Sequence, residues 1–336
     1  MIGWLLVLWV GQARAGDTWV VAPGETLDEV ARALGDPALA PEIARINQLD
    51  PRASLTPGQV LTLPASADVV GAEVLAAQGE VLVNLSGQIA VPAEPGRRLQ
   101  AGATVCTGPD GLASLRLATV GVNGQHDDVT LLHDTCLTVE RASRSASRRV
   151  SLLTIKRGSV TVRPSEDGPG TVTVRTPSGI TTGDLGGFRV SLEAGAARTE
   201  AVEQPVSVLG AGAEVKVAAG EGTRVRDGQV PDAPTPLLRA GPLVAPPDAT
   251  PLFRPEFSWV AVDRALAYRV EVSATASFDN LVLVETVDEE SWAPERLLLP
   301  FRVDGLWWRV SPIDRTGFVG LPSRARGLTL PSGIGP

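Results

Sequence analysis

Histidine is almost absent from this chain, which contains only two in 336 residues, His126 and His133. A zinc hydrolase needs several His, Cys or carboxylate ligands at short, regular spacings, and two lone histidines supply no such set. The sequence therefore predicts no metal site and argues against a zinc-dependent amidase or endopeptidase.

Positive charge is also scarce, since 30 Lys and Arg residues face 38 Asp and Glu residues and the net charge is −8. Proteins that bind nucleic acid present a basic face, because phosphate contacts supply most of the affinity. No nucleic-acid partner is therefore expected. The local exception is the stretch RASRSASRR, whose arginines are Arg141, Arg144, Arg148 and Arg149. It could contact an anionic partner, but a solvated, mobile loop is the preferred interpretation.

The apolar run at the N-terminus, Ile2–Val10, is too short to cross a membrane, because a spanning helix needs about 20 apolar residues. The small-x-small pattern of a cleavage site follows at Ala13-Arg14-Ala15, which predicts a signal peptide over residues 1–15. No Lys or Arg precedes the run, so the true translation start is open, and no Cys directly follows it, so a lipoprotein anchor is not indicated. We expect an exported protein, periplasmic or associated with the cell envelope, without a transmembrane segment.

The two cysteines, Cys106 and Cys136, are expected to form a disulfide, because an exported chain with an even count of cysteines usually pairs them. Closing a loop of about 30 residues would stabilise the fold by roughly 3–4 kcal/mol. The alternative is a cysteine nucleophile with His133 as its base. Residues three apart on a strand point to opposite faces, which disfavours that pair.

A pair of catalytic carboxylates stays open, but glycoside hydrolysis needs two acids held across a deep cleft, and no candidate pair stands out. Neither an enzyme activity nor a cofactor is therefore expected.

Two expected linkers divide the chain into three parts. The first is Pro64–Asp68, and the second is Pro231–Pro251, where the density of proline favours an extended, semi-rigid spacer over a packed element. After Asn47, signals for helices are rare and valine-rich alternating runs dominate. The sequence predicts a mainly β, multidomain protein.

The first part combines two short strands with two short helices. Thr26 and Glu29 form a capping box that begins a helix, whose apolar face is Leu27, Val30, Ala31 and Leu34 and which ends near Gly35. Pro41 suits the first turn of a second helix, which Asn47 closes. The strands Trp19–Val21 and Val60–Leu63 are expected to pair antiparallel.

This βααβ pattern resembles the LysM domain over residues 17–64, and the resemblance implies binding of peptidoglycan or another glycan containing N-acetylglucosamine. Seven carboxylates against three arginines in this part suit a neutral sugar better than an anionic polymer. In LysM domains the sugar lies in a shallow groove between two loops. The residues of this chain that match those loops are Pro23, Gly24, Glu25, Thr26, Leu27, Asn47, Gln48, Leu49, Asp50, Leu55, Thr56, Pro57 and Gly58. The alternative is that the prolines and glycines only form turns and that Asn47 only caps its helix.

The second part, residues 69–230, resembles a FecR domain, an extracytoplasmic β module. The matching runs are Gly79–Val83, Leu99–Val105, Ala113–Leu117, Val129–Leu132, Arg157–Val162, Val172–Pro177 and Ile180–Val190. The last run keeps the glycines of the family signature but lacks its usual arginine and threonine. Alternation at Val160/Val162 and at Val172/Val174, around the turn Pro164–Gly170, predicts a hairpin. A β-sandwich and a short β-solenoid both fit this part.

The third part, residues 252–330, resembles a fibronectin type III-like or immunoglobulin-like sandwich. The resemblance rests on the strands Phe257–Trp259, Ala267–Val272 and Gly305–Val310, followed by a turn at Asp314 and Gly317. Trp259 and either Trp307 or Trp308 could stack on sugars, but alternating strand positions favour the core.

Together these features predict a non-catalytic, peptidoglycan-binding envelope protein whose first domain anchors two modules that bind a protein partner. The alternative is a FecR-type sensing component that acts with a separate membrane partner. A cell-wall hydrolase or its accessory is the third possibility and the least favoured.

Overall fold

The computed structural model describes residues 18–21, 24–33, 39–63, 71–85, 89–117, 126–144, 149–166, 170–247, 250–251, 256–294 and 305–329. The protein is mainly β and multidomain, as predicted. The three largest hydrophobic cores among the described residues follow one another along the chain, and we name the units around them the N-terminal module (18–63), the middle domain (71–236) and the C-terminal domain (243–329). The expected signal peptide, Pro23, Gly35 and the expected linker at residues 64–68 lie outside the described residues.

The N-terminal module is a βααβ unit. Its elements are β1 (Thr18–Val20), α1 (Leu27–Ala33), α2 (Ala40–Ile46) and β2 (Val60–Thr62). The two strands pair antiparallel with Trp19 opposite Leu61. Both of these side chains are fully buried in the core of the module, with Val30 and Ile43 from the helices.

Local side chains fix both helices where the sequence indicates. Thr26 N donates to Glu29 Oε2 at 2.7 Å and Glu29 N donates to Thr26 Oγ1 at 3.3 Å, which is the predicted capping box. Asn47 Nδ2 donates to Ile43 O at 2.8 Å and to Thr62 O at 2.7 Å, while Thr62 N donates to Asn47 Oδ1 at 2.6 Å. Asn47 therefore ends α2 and also ties it to β2.

The middle domain contains seventeen described strands, β3 to β19. They are β3 (Ala72–Gln78), β4 (Val81–Asn84), β5 (Val91–Pro92), β6 (Arg98–Leu99), β7 (Ala103–Thr107), β8 (Leu112–Leu117), β9 (Asp127–Leu131), β10 (Cys136–Arg144), β11 (Arg149–Arg163), β12 (Gly170–Arg175), β13 (Ile180–Gly183), β14 (Phe188–Glu193), β15 (Ala196–Ala201), β16 (Val206–Gly210), β17 (Ala213–Val217), β18 (Glu221–Arg226) and β19 (Thr235–Pro236).

These strands form two sheets that share β11. One sheet has the order β5-β4-β7-β10-β11-β12-β13-β16-β17. The other has the order β6-β3-β8-β9-β11-β14-β15-β18-β19. Valines and leucines from both sheets, such as Val105 and Val129, share one core. Of the two predicted alternatives, the structure is therefore the sandwich.

The predicted hairpin between Val160/Val162 and Val172/Val174 is wrong. The first half of β11 pairs with β12 in parallel, with Ser151 opposite Val172, while Val160 in the second half pairs with Val190 of β14. The strand passes from one sheet to the other at Gly158, whose φ is 89° and where a Cβ atom would lie 2.3 Å from Thr135 Oγ1. Alternation reveals which face of a strand is buried but does not identify its neighbour.

The arginine-rich stretch is only partly the predicted solvated loop. Arg141 lies in β10 and Arg149 begins β11, and their exposed fractions are 9% and 2%. Arg149 Nε lies 3.3 Å from Oδ1 of the fully buried Asp127, which also accepts a hydrogen bond from Ser165 N at 3.0 Å. The Arg149 guanidinium can be buried here because Asp127, a carboxylate distant in the sequence, pairs with it. Arg148 lies outside the described residues.

The predicted disulfide is confirmed. Cys106 of β7 and Cys136 of β10 stand opposite each other in an antiparallel pair and are joined by a bond of 2.09 Å. Both sulfur atoms are used in this bond, so Cys136 has no free thiol to act as a nucleophile.

The C-terminal domain is a two-sheet sandwich. Its strands are β20 (Leu243–Ala245), β21 (Thr250–Pro251), β22 (Phe257–Trp259), β23 (Ala265–Ser273), β24 (Leu281–Val287), β25 (Ser291–Trp292), β26 (Gly305–Asp314) and β27 (Arg326–Thr329). The sheet orders are β20-β22-β25 and β21-β27-β26-β23-β24. Trp259 and Trp308 are 4% and 0% exposed within the core, as predicted, whereas Trp307 is 36% exposed.

The proline-rich segment 231–251 was expected to be an extended, semi-rigid spacer and not a packed element. Its longest described part, residues 231–247, pairs with both neighbouring domains, since Leu237 N donates to Gly220 O at 2.8 Å and Leu238 O accepts from Leu321 N at 2.8 Å. Leu237 is itself buried. An extended chain with alternating prolines can still pair at the edge of a sheet through its remaining amides and carbonyls, which is how this segment joins the two larger domains.

Candidate functional site

The first predicted glycan loop, Pro23–Leu27, lies against the middle domain. Glu25 and Leu27 are buried, with exposed fractions of 3% and 2%. Gly24 and Thr26 reach the surface, but Gly24 lies so close to the turn after β16 that a Cβ atom on it would be 2.7 Å from Gly212 N. Pro23 lies outside the described residues. In the intact chain this loop is thus mostly a contact between domains.

A tryptophan, a glutamate and an arginine form the polar part of that contact. Trp19 Nε1 donates to Glu25 Oε2 at 2.9 Å, and the Arg175 guanidinium lies 4.0 Å from the centre of the Trp19 ring. Burial lowers the pKa of Arg175, and the charges of Glu25 and Glu140 oppose that shift. The arrangement places a cation over an aromatic face, with a carboxylate nearby to balance its charge.

The space beside Glu25 is too small for a sugar. The cavity there, which Ser178 and Gly210 also line, has a volume of about 20 Å³. That volume is about enough for one water molecule. Glu25 and Leu27 therefore do not line an open groove in this arrangement.

The second predicted glycan loop, which combines Asn47–Asp50 with Leu55–Gly58, faces solvent. Its exposed members are Gln48, Asp50, Thr56, Pro57 and Gly58, whereas Leu49 and Leu55 are half-buried against the core. Asn47 is half-buried, and its side chain donates to Ile43 O of α2 and to Thr62 O of β2. This is the capping role that was the alternative to glycan binding for this residue.

The two predicted loops are neighbours. Gly58 N donates to Val21 O at 2.8 Å and Val21 N donates to Gln59 O at 2.8 Å, which holds the turn at Pro57-Gly58 beside the end of β1. The first loop follows directly after Val21 in the chain. The module therefore has the adjacency that a shared groove requires, with one of its two walls covered.

A second polar cluster joins the middle and C-terminal domains, and the sequence analysis did not identify it. Arg189 and Glu200 stand opposite each other on β14 and β15, and Glu271 and Arg309 do so on β23 and β26. Arg309 Nε donates to Glu271 Oε2. Each pair is a cross-strand pair of opposite charges.

Backbone groups of the C-terminal domain complete this cluster. Arg189 Nη1 donates to Val319 O at 2.8 Å and to Gly320 O at 3.1 Å, and Val319 N donates to Glu200 Oε1 at 3.2 Å. An apolar patch extends the interface, where Leu112 and Leu132 pack against Phe278, Leu281 and Val284.

Burial shifts the pKa values in this cluster. It lowers the pKa of Arg189 to about 10, against the charges of Glu200 and Glu271. It raises the pKa of Glu200, although Arg189 and Arg269 oppose the shift. For Glu271 burial alone would favour the neutral acid, but Arg309, Arg189 and Arg269 together outweigh it and lower the pKa.

Within the described ranges, no group of three or more His, Cys, Asp and Glu side chains is arranged to hold a metal ion. Both described helices have seven residues, and in the part of the chain that the structure describes no helix could span a bilayer.

Comparison with known proteins gives no family. No family model matches the chain, and no curated protein matches it. Two solved structures, each of a "putative anti-sigma factor" from Parabacteroides distasonis, are 12% and 14% identical to it. The matches cover 40% and 37% of this chain and 59% and 60% of those chains, with TM-scores of 0.32 and 0.28. A likeness at these TM-scores carries no argument about fold or function.

Proposed function

We propose that the N-terminal module binds a neutral glycan that contains N-acetylglucosamine, such as peptidoglycan, and that the protein is a non-catalytic component of the cell envelope. The observation that carries the proposal is the exposed second loop, with Gln48, Asp50 and Thr56 at the surface of a folded βααβ unit. Because Glu25 and Leu27 are buried, the second loop supplies the glycan contacts in the intact chain.

The chemistry of that loop suits an uncharged sugar. Gln48 and Thr56 offer an amide and a hydroxyl, which can both donate and accept hydrogen bonds. Val60, which is 59% exposed at the start of β2, adds apolar surface for an N-acetyl methyl group or the face of a pyranose ring. The disulfide between Cys106 and Cys136 fits an oxidising compartment outside the cytoplasm.

In this proposal the middle and C-terminal domains present surfaces to a protein partner in the envelope. The buried contacts at both interfaces support a single arrangement of the three units, because Leu152 and Ile180 of the middle domain belong to the core of the N-terminal module. The glycan-binding loop and the partner-binding surface would thus be held at a fixed separation.

The test is co-sedimentation of the full chain with isolated sacculi, together with calorimetry on N-acetylglucosamine oligomers. The informative variant is Gln48→Gly/Thr56→Ala, because glycine tolerates the positive φ of 56° at Gln48. We expect at least a tenfold loss of affinity, which corresponds to about 1.4 kcal/mol. The matched control is Gln229→Gly/Thr286→Ala, which changes the same residue types at exposed positions of the other two domains.

Equal binding by the variant and the control would contradict a role for the second loop. Absence of binding by the unmodified chain to both sacculi and oligomers would contradict glycan binding itself.

A further inference from the structure

The middle domain covers one face of an aromatic ring in the N-terminal module. Trp19 Nε1 donates to Glu25 Oε2 at 2.9 Å, and the planar guanidinium of Arg175 lies 4.0 Å from the centre of the Trp19 ring. Arg175 belongs to β12, so this face of the ring is covered by another domain and not by the module's own side chains. If the module moved off the middle domain, the ring face and the carboxylate would lose this cover together.

An aromatic face beside a carboxylate has the chemistry to bind a sugar. A flat, apolar ring can stack on the CH groups of a pyranose, while a carboxylate accepts hydrogen bonds from hydroxyl and amide groups. A guanidinium uses the same two partners, because it stacks on the ring and balances the negative charge. In the docked arrangement Arg175 therefore occupies the place that a sugar ring would take on Trp19.

A backbone contact closes the first loop at a second point. The turn between β16 and β17, Ala211-Gly212, has φ values of 45° and 79° and lies directly against Gly24. A Cβ atom on Gly24 would be 2.7 Å from Gly212 N, and a Cβ atom on Gly212 would be 3.4 Å from Gly24 O. The first loop is thus held under the middle domain both at this turn and at Arg175.

We propose that the docked middle domain inhibits glycan binding by the N-terminal module, and that Trp19 and Glu25 form a second sugar-binding position that opens when the module undocks. The inference rests on the proposed function and extends it, since the second loop binds in the docked protein and the first loop joins it only after release. Sugar and Arg175 compete for one face of Trp19, so each weakens the binding of the other by the same factor. A glycan that needs both loops therefore binds the whole chain less tightly than it binds the undocked form.

The experiment uses a double variant of the full chain, Gly212→Asn/Arg175→Gln, which we call the opening variant. Both changes lie in the middle domain and leave the module itself intact. Asparagine tolerates a positive φ, but its side chain is larger than a methyl group and would press on Gly24. Glutamine removes the guanidinium from the face of Trp19 and leaves Glu25 without that counter-charge.

The matched control is Gly96→Asn/Arg98→Gln, which makes the same replacements elsewhere in the middle domain. The φ of Gly96 is 83°, and nothing lies within 4 Å of a Cβ atom built on it. Arg98 is exposed on β6. Any effect of the residue types alone therefore appears in both variants.

Hydrogen exchange measures the opening, and calorimetry with an N-acetylglucosamine tetramer measures the affinity. We expect the opening variant to exchange the amides of Glu25 and Leu27 faster and to bind the tetramer at least tenfold more tightly than the unmodified chain. The control should match the unmodified chain in both measurements. In NMR spectra the indole Nε1 signal of Trp19 should shift with the tetramer in the opening variant only.

Two further variants keep the test decisive. Adding Glu25→Ala to the opening variant should return the affinity to that of the unmodified chain, because the carboxylate of the opened position is lost. If the opening variant does not fold by circular dichroism, Arg175→Gln alone, with Arg98→Gln as its control, is expected to show the same changes to a smaller extent.

Three results would overturn the inference. They are unchanged exchange at Glu25 in the opening variant, equal affinity of the opening variant and the control despite faster exchange, and a gain in affinity that survives Glu25→Ala. Each of them leaves glycan binding by the unmodified chain standing, so the inference can fail without the proposed function. Absence of tetramer binding by the unmodified chain and by every variant would contradict both.

Discussion

The two interfaces between the domains of this protein differ in the kind of contact that dominates them. The N-terminal module meets the middle domain through its own core, to which Leu152 and Ile180 contribute, and the polar groups there are Trp19, Glu25 and Arg175. The middle and C-terminal domains meet through the outer faces of their sheets, where cross-strand charge pairs are buried. The first interface is therefore dominated by packing, whereas the second combines buried charge pairs with the apolar patch around Phe278.

The largest expected effect is on the charged interface. Arg189→Met removes a fully buried guanidinium that contacts Val319 O and Gly320 O and leaves Glu200 without its main counter-charge. Breaking one side of a buried charge pair typically costs about 3–5 kcal/mol. Chemical denaturation should show this loss, and Arg98→Met, at an exposed position, should stay within about 0.5 kcal/mol. A loss below 1 kcal/mol for Arg189→Met would mean that the charges do not hold the domains together.

The packed interface should be sensitive to volume instead. Leu152 is 1% exposed, although it projects from β11 of the middle domain into the core of the N-terminal module. Leu152→Ala is expected to cost about 2–4 kcal/mol, because the cavity cannot collapse fully. Hydrogen exchange of the Trp19 amide in increasing denaturant measures the loss within the module. A change that spares this probe would show that the module is independent of the middle domain.

Gly24 of the N-terminal module lies directly against the turn at Gly212 of the middle domain. Its φ is 79°, and an added methyl group would press on Gly212 N, so Gly24→Ala is expected to cost about 1–2 kcal/mol and to loosen the module from the middle domain. Gly58→Ala is the matched control, because its φ is 82° but nothing lies near the added atom. Amide hydrogen exchange around Glu25 measures the loosening. Equal exchange in both variants would show that strain, and not the contact, is responsible.

The smallest expected effect is the dependence of the charged interface on pH. Burial raises the pKa of Glu200, so the folded state binds its proton more tightly than the unfolded chain does. The free energy of unfolding from this group therefore falls as pH rises from the ordinary glutamate value through the raised one. Glu271 has a lowered pKa and acts in the opposite direction, losing its contribution as pH falls through that lowered value.

Glu200→Gln separates the two contributions. It keeps an acceptor for Val319 N and removes the titrating group. The free energy of unfolding of the variant, measured between pH 4 and pH 8, should therefore lack the rise towards low pH that Glu200 gives the wild-type chain. A wild-type curve identical to that of the variant would contradict the raised pKa.

The sequence correctly predicted those features of the fold that depend on contacts between residues close together in the chain. The capping box of Thr26 and Glu29 and the closing role of Asn47 depend on residues close in the chain or on one strand nearby. The disulfide followed from the count of cysteines. Alternation predicted a core position for Trp259 and for one of Trp307 and Trp308, and the structure shows that the second is Trp308.

Pairings that are distant in the chain could not be predicted in the same way. Arg149 is buried because Asp127 lies beside it, and no local feature of RASRSASRR reveals that partner. Arg189 and Glu271 alternate with core valines and so occupy outer faces, where charge is ordinarily solvated. Only the docking of the two domains buries them, and alternation carries no information about docking.

The two predicted glycan loops differ in the same way. The turns of the N-terminal module follow from its prolines and glycines, but the burial of Glu25 depends on the middle domain. Sequence matching treats both loops alike, whereas the three-dimensional arrangement leaves one of them open.

The most direct test of glycan binding through the second loop is a residue-resolved NMR titration of the full chain with an N-acetylglucosamine tetramer, with cellotetraose as the control sugar. We expect the amide signals of Gln48, Asp50 and Gly58 to shift with the first sugar and not with the second, while that of Glu25 stays in place. Shifts centred on Glu25, or no shift anywhere in the N-terminal module, would contradict it.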